Sequence, residues 1–354
     1  MRVLVVNPGS SSVKLRLLDG QQVVASRDVE HPLDDSTADA LAELGATADA
    51  VGHRVVHGGG RSAPAVVDDA LLAELGDLVP LAPLHQPASL RAMGLVRWLL
   101  PGVPQVACFD TAFHSRIPAA AATYAVPEPW RTRWGLRKHG FHGLSHAYAS
   151  RRAVELAGAP GRVVSCHLGA GASLCAVVDG RSVDTTMGFT PADGLVMATR
   201  AGAVDPGMLL WLLDGRLSPV EVSDGLERYG GLVALCGTGD VREVLAARAG
   251  GDPRARLALE VYLHRLCALV AAMAAAAQGI DLLVLTGGVG ENAAEVRAEA
   301  AEGLGFLGIA VDAGLNLAGS GDRELTAAGA TVRTFVVCAR EDLEVVRQVT
   351  ELLG

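Results

Sequence analysis

The sequence predicts an α/β protein built from two related domains, and three observations support this. Short apolar runs rich in β-branched residues alternate with stretches rich in Ala, Leu, Arg and Glu, which is typical of strands alternating with helices. A pattern of strand, glycine turn, strand and Asp-Gly occurs at residues 3–23 and again at 163–183. The 354 residues, half of them apolar, suffice for two hydrophobic cores.

The elements are assigned in chain order. Strands are predicted at residues 2–6, 13–18, 51–56, 103–109, 162–168, 173–178, 281–286 and 332–338. Helices are predicted near residues 68–79, 87–100, 145–158, 206–214, 219–228, 254–278 and 292–304, with a last amphipathic helix at 343–354. We expect a mixed, largely parallel sheet in each half, with residues 1–110 plus 343–354 forming the first domain and 111–342 the second.

Each copy of the repeat predicts a β-hairpin with a glycine-containing turn. The copies read VLVVNPGSSSVKLRLLDGQQV and VVSCHLGAGASLCAVVDGRSV. Such a turn exposes backbone N–H groups and suits a phosphate. Five identities in 21 positions can also arise by chance in a Val- and Gly-rich chain, so the repeat alone leaves both interpretations open.

Composition limits the partners and the compartment. The net charge of −9 without a basic run argues against nucleic acid and anionic membranes as partners. Only Lys14 and Lys138 accompany 28 arginines, which fits a codon bias, although both lie in or beside polar motifs. Six cysteines without a CxxC pair and an N-terminus without a signal-peptide pattern predict a cytoplasmic protein. The apolar run 266–277 is too short to span a bilayer and predicts a buried helix.

Three glycine-rich turns follow apolar strands, at Asn7–Ser12, His167–Ser173 and Thr286–Asn292. None is a Walker A loop or a dinucleotide fingerprint. Each turn taken singly is more often an ordinary tight turn, but three together favour nucleotide binding.

Charged residues accompany these turns. Arg54 on a predicted strand needs an anion or a carboxylate, and Arg200 lies in a predicted loop. The spacing of His142 and His146 allows a metal site, but no zincin-type acidic neighbour or thiolate is present, and His57 and His146 equally suit a core. Asp110 ends a predicted strand, where ligands of open α/β sheets bind. Glu341 and Asp342 follow another strand, and Asp342 equally suits a helix N-cap.

The ordered motifs NPGSSSVK, GHRVVHGG, LAPLHQP, FDTAFH, RKHGFHGLSH, HLGAGAS, DTTMGFTPADGL, TRAGAVDP and TGGVGEN resemble those of the acetate kinase family. The resemblance extends from residue 1 to about 345. It implies two duplicated actin-like or ribonuclease H-like domains with a cleft between them, as in the sugar kinase, heat-shock protein and actin superfamily. Family members transfer the γ-phosphoryl group of ATP to acetate reversibly, with Mg²⁺ (or Mn²⁺), to give acetyl phosphate and ADP, and a homodimer is implied.

The resemblance also implies site residues. The catalytic set is Arg54, Asp110, His142 and Arg200. Arg54 holds the substrate carboxylate, and the apolar pocket is Val56, Leu84, Phe141 and Pro191. The nucleotide contacts are Lys14, His167, Leu168, Gly169, Ala170, Gly171, Asp240, Val241, Arg242, Gly288, Val289, Gly290, Glu291 and Asn292. The metal positions are Asn7 and Glu341.

The chain departs from the family pattern at several places. It is short, with residues 25–50 trimmed. Ala170 replaces the usual asparagine, 238–240 replace Ser-Asn-Asp, and 339–342 replace Thr-Asn-Glu-Glu, which places Arg340 beside a proposed metal ligand. These departures bear on nucleotide affinity and on the preferred phosphoryl donor more than on the chemistry.

Other functions remain to be weighed. A propionate kinase of the same family is the close alternative, and Val56 or Leu84 would set that preference. A regulatory nucleotide-binding protein without turnover would have no need of Arg54, Asp110, His142 and Arg200. An actin-like filament protein would likewise have no use for an arginine in the cleft.

Overall fold

The computed structural model describes residues 1–9, 12–30 and 35–354; Ser10 and Ser11 of the first glycine turn, and residues 31–34, lie outside the described residues. The strands are β1 (Arg2–Pro8), β2 (Ser12–Asp19), β3 (Gln22–Glu30), β4 (Ala50–Val55), β5 (Ala65–Val66), β6 (Gln105–Phe109), β7 (Val163–Leu168), β8 (Ala172–Val178), β9 (Arg181–Thr185), β10 (Leu282–Thr286), β11 (Arg323–Glu324) and β12 (Arg333–Val336). The helices are α1 (Asp35–Gly45), α2 (Asp69–Asp77), α3 (Gln86–Leu99), α4 (Ala119–Ala122), α5 (Glu128–Trp134), α6 (Gly143–Ala157), α7 (Pro206–Leu213), α8 (Pro219–Glu227), α9 (Gly231–Cys236), α10 (Val241–Ala249), α11 (Pro253–Ala276), α12 (Gly287–Asn292), α13 (Ala294–Gly303), α14 (Ala313–Leu317) and α15 (Glu341–Leu353). Short 3-10 helices lie at Val79–Leu81, Ala112–His114 and Gly305–Leu307.

The chain forms two compact units. The first unit comprises Met1–Arg116, Phe141–Tyr148 and Arg340–Gly354, and the second comprises Ile117–Gly140 and Ala149–Ala339. The sequence-based division placed residues 141–148 in the second domain, whereas here they group with the first unit.

The sheet of the first unit has the order β3-β2-β1-β4-β6-β5. Strands β1, β4 and β6 are parallel, while β2, β3 and β5 run antiparallel to their neighbours. Because side chains alternate along a strand, Leu4 and Val6 pack with α1 and α3 on one face, and Val3 and Val5 pack with α15 on the other. Burial on both faces explains why β1 is a continuous apolar run.

The sheet of the second unit has the order β9-β8-β7-β10-β12-β11, with β7, β10 and β12 parallel and the others antiparallel. The two units therefore share strand order and direction, which confirms the predicted duplication. The constant offset of 160 residues does not hold in β8, however. The last pairs of the two hairpins are Pro8 with Val13 and Leu168 with Ala172, so the second connection is one residue shorter.

The expectation of largely parallel sheets was wrong. Within the described residues, antiparallel pairs outnumber parallel ones in both sheets, because each begins with a three-stranded meander. The sequence analysis missed β3 because this edge strand is mostly exposed and lacks an apolar alternation. It also missed α12, because three of its six residues are glycine.

Helix α11 is long and apolar enough to cross a membrane by length and composition alone. Length and composition are weak evidence for a membrane-spanning helix, since the core helix of a soluble protein has the same properties. One side of α11, including Leu259, Tyr262 and Leu266, is buried, and the helix packs against β7 and β8. This agrees with the buried helix expected from the run 266–277.

Candidate active site

The first unit places an ion pair at the ends of two neighbouring parallel strands. Arg54 lies near the end of β4, and Asp110 follows β6, which pairs with β4 in parallel. Nε and Nη2 of Arg54 donate to Oδ2 of Asp110 at 3.1 and 2.8 Å. Nη1 of Arg54 donates to Oδ1 of Asn7 at 3.3 Å. The carboxylate that Arg54 requires is therefore Asp110.

This pair is buried and incompletely satisfied. The Asp110 side chain has no exposed surface, and its Oδ1 has no hydrogen-bond partner among the described residues. An unsatisfied buried acceptor costs about 1–3 kcal/mol, and natural proteins keep such groups mainly where a ligand, an ion or water completes them. Among the described residues, Asp110 and Asn7 use three of the five N–H groups of Arg54, and the other two are open to a ligand there.

The electrostatics around Arg54 favour a further cation. Burial acts to lower the pKa of the Arg54 guanidinium, but the nearby carboxylates of Asp110 and Glu341 outweigh it and raise this pKa. Two carboxylates thus face one arginine. Asn7 and Glu341 supply hard oxygen donors, and Oδ1 of Asp110 is an unused carboxylate oxygen, so the donor set fits Mg²⁺.

The departure at Arg340 is compensated locally. Nε and Nη2 of Arg340 donate to the Asp342 carboxylate at 2.9 Å each, so Asp342 neutralises this arginine. Helix α15 begins at Glu341 with Arg340 at the N-cap position, so the alternative interpretation of Asp342 as the N-cap was wrong.

Lys14 and Lys138 differ in their surroundings. Lys14 is exposed on β2. In the sheet register it lies opposite Asn7 of β1 on one side and Asp28 of β3 on the other. Lys138 of the second unit binds the Asp184 carboxylate at 2.8 Å and the Thr185 carbonyl at 3.0 Å, which is a structural ion pair.

The segment 141–143 contacts the backbone of Asp110 and carries an aromatic ring and a histidine. Phe141 is buried, and its ring lies 5.4 Å from that of His57. Nε2 of His114 lies 3.0 Å from the Phe141 carbonyl oxygen. His142 adopts a left-handed conformation with φ 54°, uncommon outside glycine and a sign of a constrained site. Gly143 then donates its N–H to the Asp110 carbonyl at 3.1 Å.

The remaining histidines and pocket residues lie as follows. Val56, His57 and His146 are buried, and Leu84 is half-buried. The Gln86 side chain accepts from the His57 N–H and donates to the His57 carbonyl, which fixes the turn after β4. Within the described residues no group of three His, Cys, Asp or Glu side chains could hold a metal, which disfavours the zinc-type interpretation of the histidines.

The second unit brings two glycine turns together at one sheet edge. The turn Gly169–Gly171 follows β7, and α12 follows the adjacent parallel strand β10. Gly287 has φ 78°, and a Cβ there would lie 2.7 Å from the Leu168 carbonyl, so only glycine allows this approach. Thr286 Oγ1, just before α12, is buried and without a partner in the described part of the chain. Ala170 is exposed, and its carbonyl accepts the Ala198 N–H at 3.1 Å.

Residues of α12 are also bound from within this unit. Glu291 accepts the Ala339 N–H at 2.9 Å, and the Asn292 amide donates to the Gly288 carbonyl at 2.9 Å. Gly288 and Asn292 are exposed, Val289 is half-buried and Gly290 is buried.

Arg200 is a largely buried cation without a carboxylate. Its only side-chain polar contact within residues 1–9, 12–30 and 35–354 is Nη1 to Met197 Sδ at 3.8 Å. Burial lowers the pKa of its guanidinium, and the more distant Glu227 acts in the opposite direction. Gly231 has φ 62° and lies at the start of α9, where a Cβ would lie 2.2 Å from the Met197 carbonyl oxygen. Its missing side chain therefore allows the loop that carries Arg200 to cap α9. Such an arginine is ready to bind an anion.

Asp240 and Arg242 form an exposed ion pair at the start of α10. Asp240 accepts the Arg242 N–H at 2.9 Å as the N-cap, and Nε of Arg242 donates to Oδ1 at 3.0 Å. The hydrogen bonds from Arg242 lower the pKa of Asp240 to about 2. Pro191 is half-buried in the 190–194 turn of the same unit.

Sequence reasoning missed three residues that support these groups. Gly143 and Gly231 are required by close backbone approaches that only the fold creates. Arg297 is buried on α13 and binds the carbonyls of Gly290 and Glu291. The sequence shows only an arginine in an Ala- and Glu-rich helical run, and its burial becomes known only from the fold.

Comparisons with known proteins agree with this geometry. The model of the acetokinase family matches residues 24–347. An acetate kinase of Streptomyces coelicolor is 42% identical over 395 aligned positions, covering 100% of this chain and 97% of that protein. That alignment is longer than the 354-residue chain, in line with the predicted trimming.

Two solved structures match over the whole fold. Acetate kinase from Porphyromonas gingivalis has a TM-score of 0.90 at 34% identity, with 100% of both chains covered. A propionate kinase from Francisella tularensis has a TM-score of 0.91 at 34% identity, with 98% of both chains covered.

Proposed function

Since the chain belongs to the acetokinase family, we propose that it is an ATP-dependent acetate kinase, which reversibly transfers the γ-phosphoryl group of ATP to acetate. The observation that carries this proposal is the buried Arg54–Asp110 pair, in which the described residues leave two arginine N–H groups and one carboxylate oxygen unused. A small carboxylate matches the two N–H groups in charge and geometry.

The residues act by alignment and charge neutralisation, since phosphoryl transfer needs little covalent help from the protein. Arg54 binds the acetate carboxylate, whose oxygen attacks the γ-phosphorus while the bond to the ADP oxygen breaks. Arg200 and His142 donate hydrogen bonds to the phosphoryl oxygens in transit. Asp110 holds the Arg54 guanidinium in orientation.

Mg²⁺ is the metal we propose, held by Asn7 and Glu341 with waters and phosphate oxygens, and Mn²⁺ meets the same donor requirement. When bound, it neutralises charge on the phosphate oxygens. The nucleotide contacts are Lys14, the turn 167–171, residues 240–242 and the segment 288–292. The lost side-chain amide at Ala170 weakens this contact, so we expect a raised KM for ATP.

Acceptor choice is tested directly. The purified protein is incubated with ATP, Mg²⁺ and hydroxylamine, and acyl hydroxamate is measured for acetate, propionate and butyrate. We expect acetate to react fastest and propionate more slowly, since one methylene changes binding by only about 1–3 kcal/mol. A propionate preference would favour the second candidate, a propionate kinase, which the match to the Francisella protein supports. No hydroxamate with any acid would contradict the kinase proposal.

The assignment of Arg200 is tested by Arg200→Ala. We expect turnover to fall by about 10³-fold, as for arginines that neutralise a phosphoryl transition state. Arg228→Ala is the matched control, because Arg228 is exposed and its ion pair in the described structure is with Asp224, one helical turn away. Near-normal turnover of Arg200→Ala would show that this arginine has another role.

A homodimer is part of the proposal. No residue of α7 is buried, although the helix reads PGMLLWLL, and Leu210 and Trp211 are 70% and 57% exposed. An apolar face of this kind suits a symmetric contact with a second copy of the chain. Leu210→Glu should shift the mass measured by light scattering to that of a monomer. Leu257, on α11, is also exposed, and Leu257→Glu should leave the mass unchanged. A monomeric parent protein would contradict the proposal.

The cytoplasm is the compartment that we propose. All six cysteines are free thiols, as expected in a reducing environment. Recovery of the protein in the periplasmic or extracellular fraction of its host would contradict this assignment.

A further inference from the structure

Arg297 on α13 is a buried guanidinium that binds only neutral groups. The residue is 2% exposed. Nη1 donates to the carbonyls of Gly290 and Glu291 at 3.0 and 2.8 Å, and Nε and Nη2 donate to Oδ1 and the carbonyl of Asn316 at 2.7 Å each. No carboxylate pairs with it in the described part of the chain. Burial and the positive charge of Arg323 lower its pKa to about 10, so it stays protonated at neutral pH.

A buried charge without a counter-charge is expensive, so its position needs a reason. Two of its acceptors are the last carbonyls of α12, where a positive charge is favourable. The six-residue α12 has glycine at 287, 288 and 290, so it has little helical stability of its own. Its geometry must come from contacts with the rest of the unit.

Arg297 supplies one such contact. Nη1 of the guanidinium binds α12, and Nε and Nη2 bind Asn316 of α14. The Asn316 side-chain amide in turn donates to the Ala294 carbonyl of α13 at 2.8 Å. Asn316 is itself buried. The guanidinium therefore joins α12 to two neighbouring helices through its planar set of donors, which a lysine ammonium cannot reproduce.

We propose that Arg297 is a positioning residue for nucleotide binding: by fixing the end of α12, it sets the orientation of the backbone at 287–290 toward the nucleotide phosphates. This inference rests on the proposed function, because α12 is one of the nucleotide contacts. Arg297 itself touches no substrate. Its loss should weaken binding of ATP and ADP and leave acetate binding unaffected, since Arg54 and most of the apolar pocket belong to the first unit. The remaining pocket residue, Pro191, lies outside the three helices that Arg297 joins.

The test compares Arg297→Lys with the parent protein and with Arg248→Lys. Arg248 pairs with Glu299 of the same helix α13 at 2.7 Å but does not bind α12, so it controls for general weakening of that helix. For Arg297→Lys we expect KM for ATP to rise about tenfold or more, equivalent to about 1.4 kcal/mol of binding. KM for acetate and kcat should change less than about threefold, since those interactions are untouched. Arg248→Lys should match the parent protein in all three constants.

Two further measurements keep the inference falsifiable. Calorimetric titration with MgADP reports nucleotide affinity without turnover, so a parent protein that binds MgADP but forms no hydroxamate would refute the kinase proposal and leave this inference testable. If Arg297→Lys does not fold, Asn316→Ala replaces it, because it removes one acceptor and should weaken MgADP binding in the same direction. Unchanged MgADP affinity in a folded variant, or equal rises in KM for ATP and acetate, would overturn the inference.

Discussion

The contact between Gly143 and Asp110 allows a sharp test of how the fold holds the site. In Gly143→Ala the new Cβ would lie 2.0 Å from the Asp110 carbonyl oxygen and 2.8 Å from Phe113 Cβ. A carbon does not approach a backbone oxygen within 3.0 Å, so the start of α6 or the Asp110 backbone must move by about 1 Å.

The magnitude follows from two contributions. Overpacking costs about 1–3 kcal/mol. The hydrogen bond from the Gly143 N–H to the Asp110 carbonyl contributes about 1 kcal/mol more, so we expect a loss of roughly 2–4 kcal/mol in unfolding free energy. A displacement of this size in a catalytic group lowers the rate by about 10²-fold. His142, the preceding residue, would move as well.

The assays are thermal unfolding and acetyl hydroxamate formation. Gly94→Ala is the matched control, since Gly94 lies within α3 and a Cβ there would meet nothing within 4 Å. That variant should gain about 0.5–1 kcal/mol through helix propensity and keep full activity. If Gly143→Ala were as stable and as active as Gly94→Ala, the reasoning from this contact would be refuted.

Three other substitutions test separate features. Burial lowers the pKa of His53 to about 4, although its Nε2 donates a hydrogen bond to Gln105 at 2.8 Å. In the unfolded chain this histidine titrates near 6.5 and so binds an extra proton below that pH. The free energy of unfolding measured in urea should therefore fall by roughly 3 kcal/mol between pH 6.5 and pH 4, and His53→Gln should remove this pH dependence. In Gly239→Ala the new Cβ would lie 2.9 Å from Ala198 Cβ and push the loop that carries Arg200, for which we propose phosphoryl binding. We therefore expect kcat to fall about tenfold and Ala198→Gly to restore part of it, whereas additive losses in this double-mutant cycle would exclude the contact as the cause. Lys14→Gln should raise KM for ATP without changing the unfolding temperature, because the side chain is exposed, and an unchanged KM would remove this residue from the nucleotide site.

The sequence contained most of what local patterns can encode. Apolar runs and glycine turns predicted both hairpins. The strand-end position of Asp110 indicated a ligand edge, which stays a prediction, and the structure shows that Asp110 pairs with Arg54 there. The order and direction of the strands confirm the predicted duplication. These features depend on residues close together in the chain or on rules for parallel sheets.

What sequence reasoning missed depends on distant contacts. Nothing near Gly231 shows that its missing Cβ makes room for the Met197 carbonyl, since the two come together only in the folded unit. In the edge strand β3 only Ala25 and Val29 pack against the core, so the strand shows no regular apolar alternation. The second hairpin connection is one residue shorter than the first. The constant offset of 160 residues between the two sequence copies does not show this difference.

The first unit is built from three separate segments of the chain, and this affects the order in which the cores of the two units can form during synthesis. Val345 and Val349 of α15 cover Val3 and Val5, and they fill the space left by Gly52 of β4. Until α15 is synthesised, that side of the first sheet stays open to water or to chaperones, whereas the second unit needs no residue beyond Ala339. During synthesis the second unit can therefore complete its core before α15 emerges, whereas the first unit cannot.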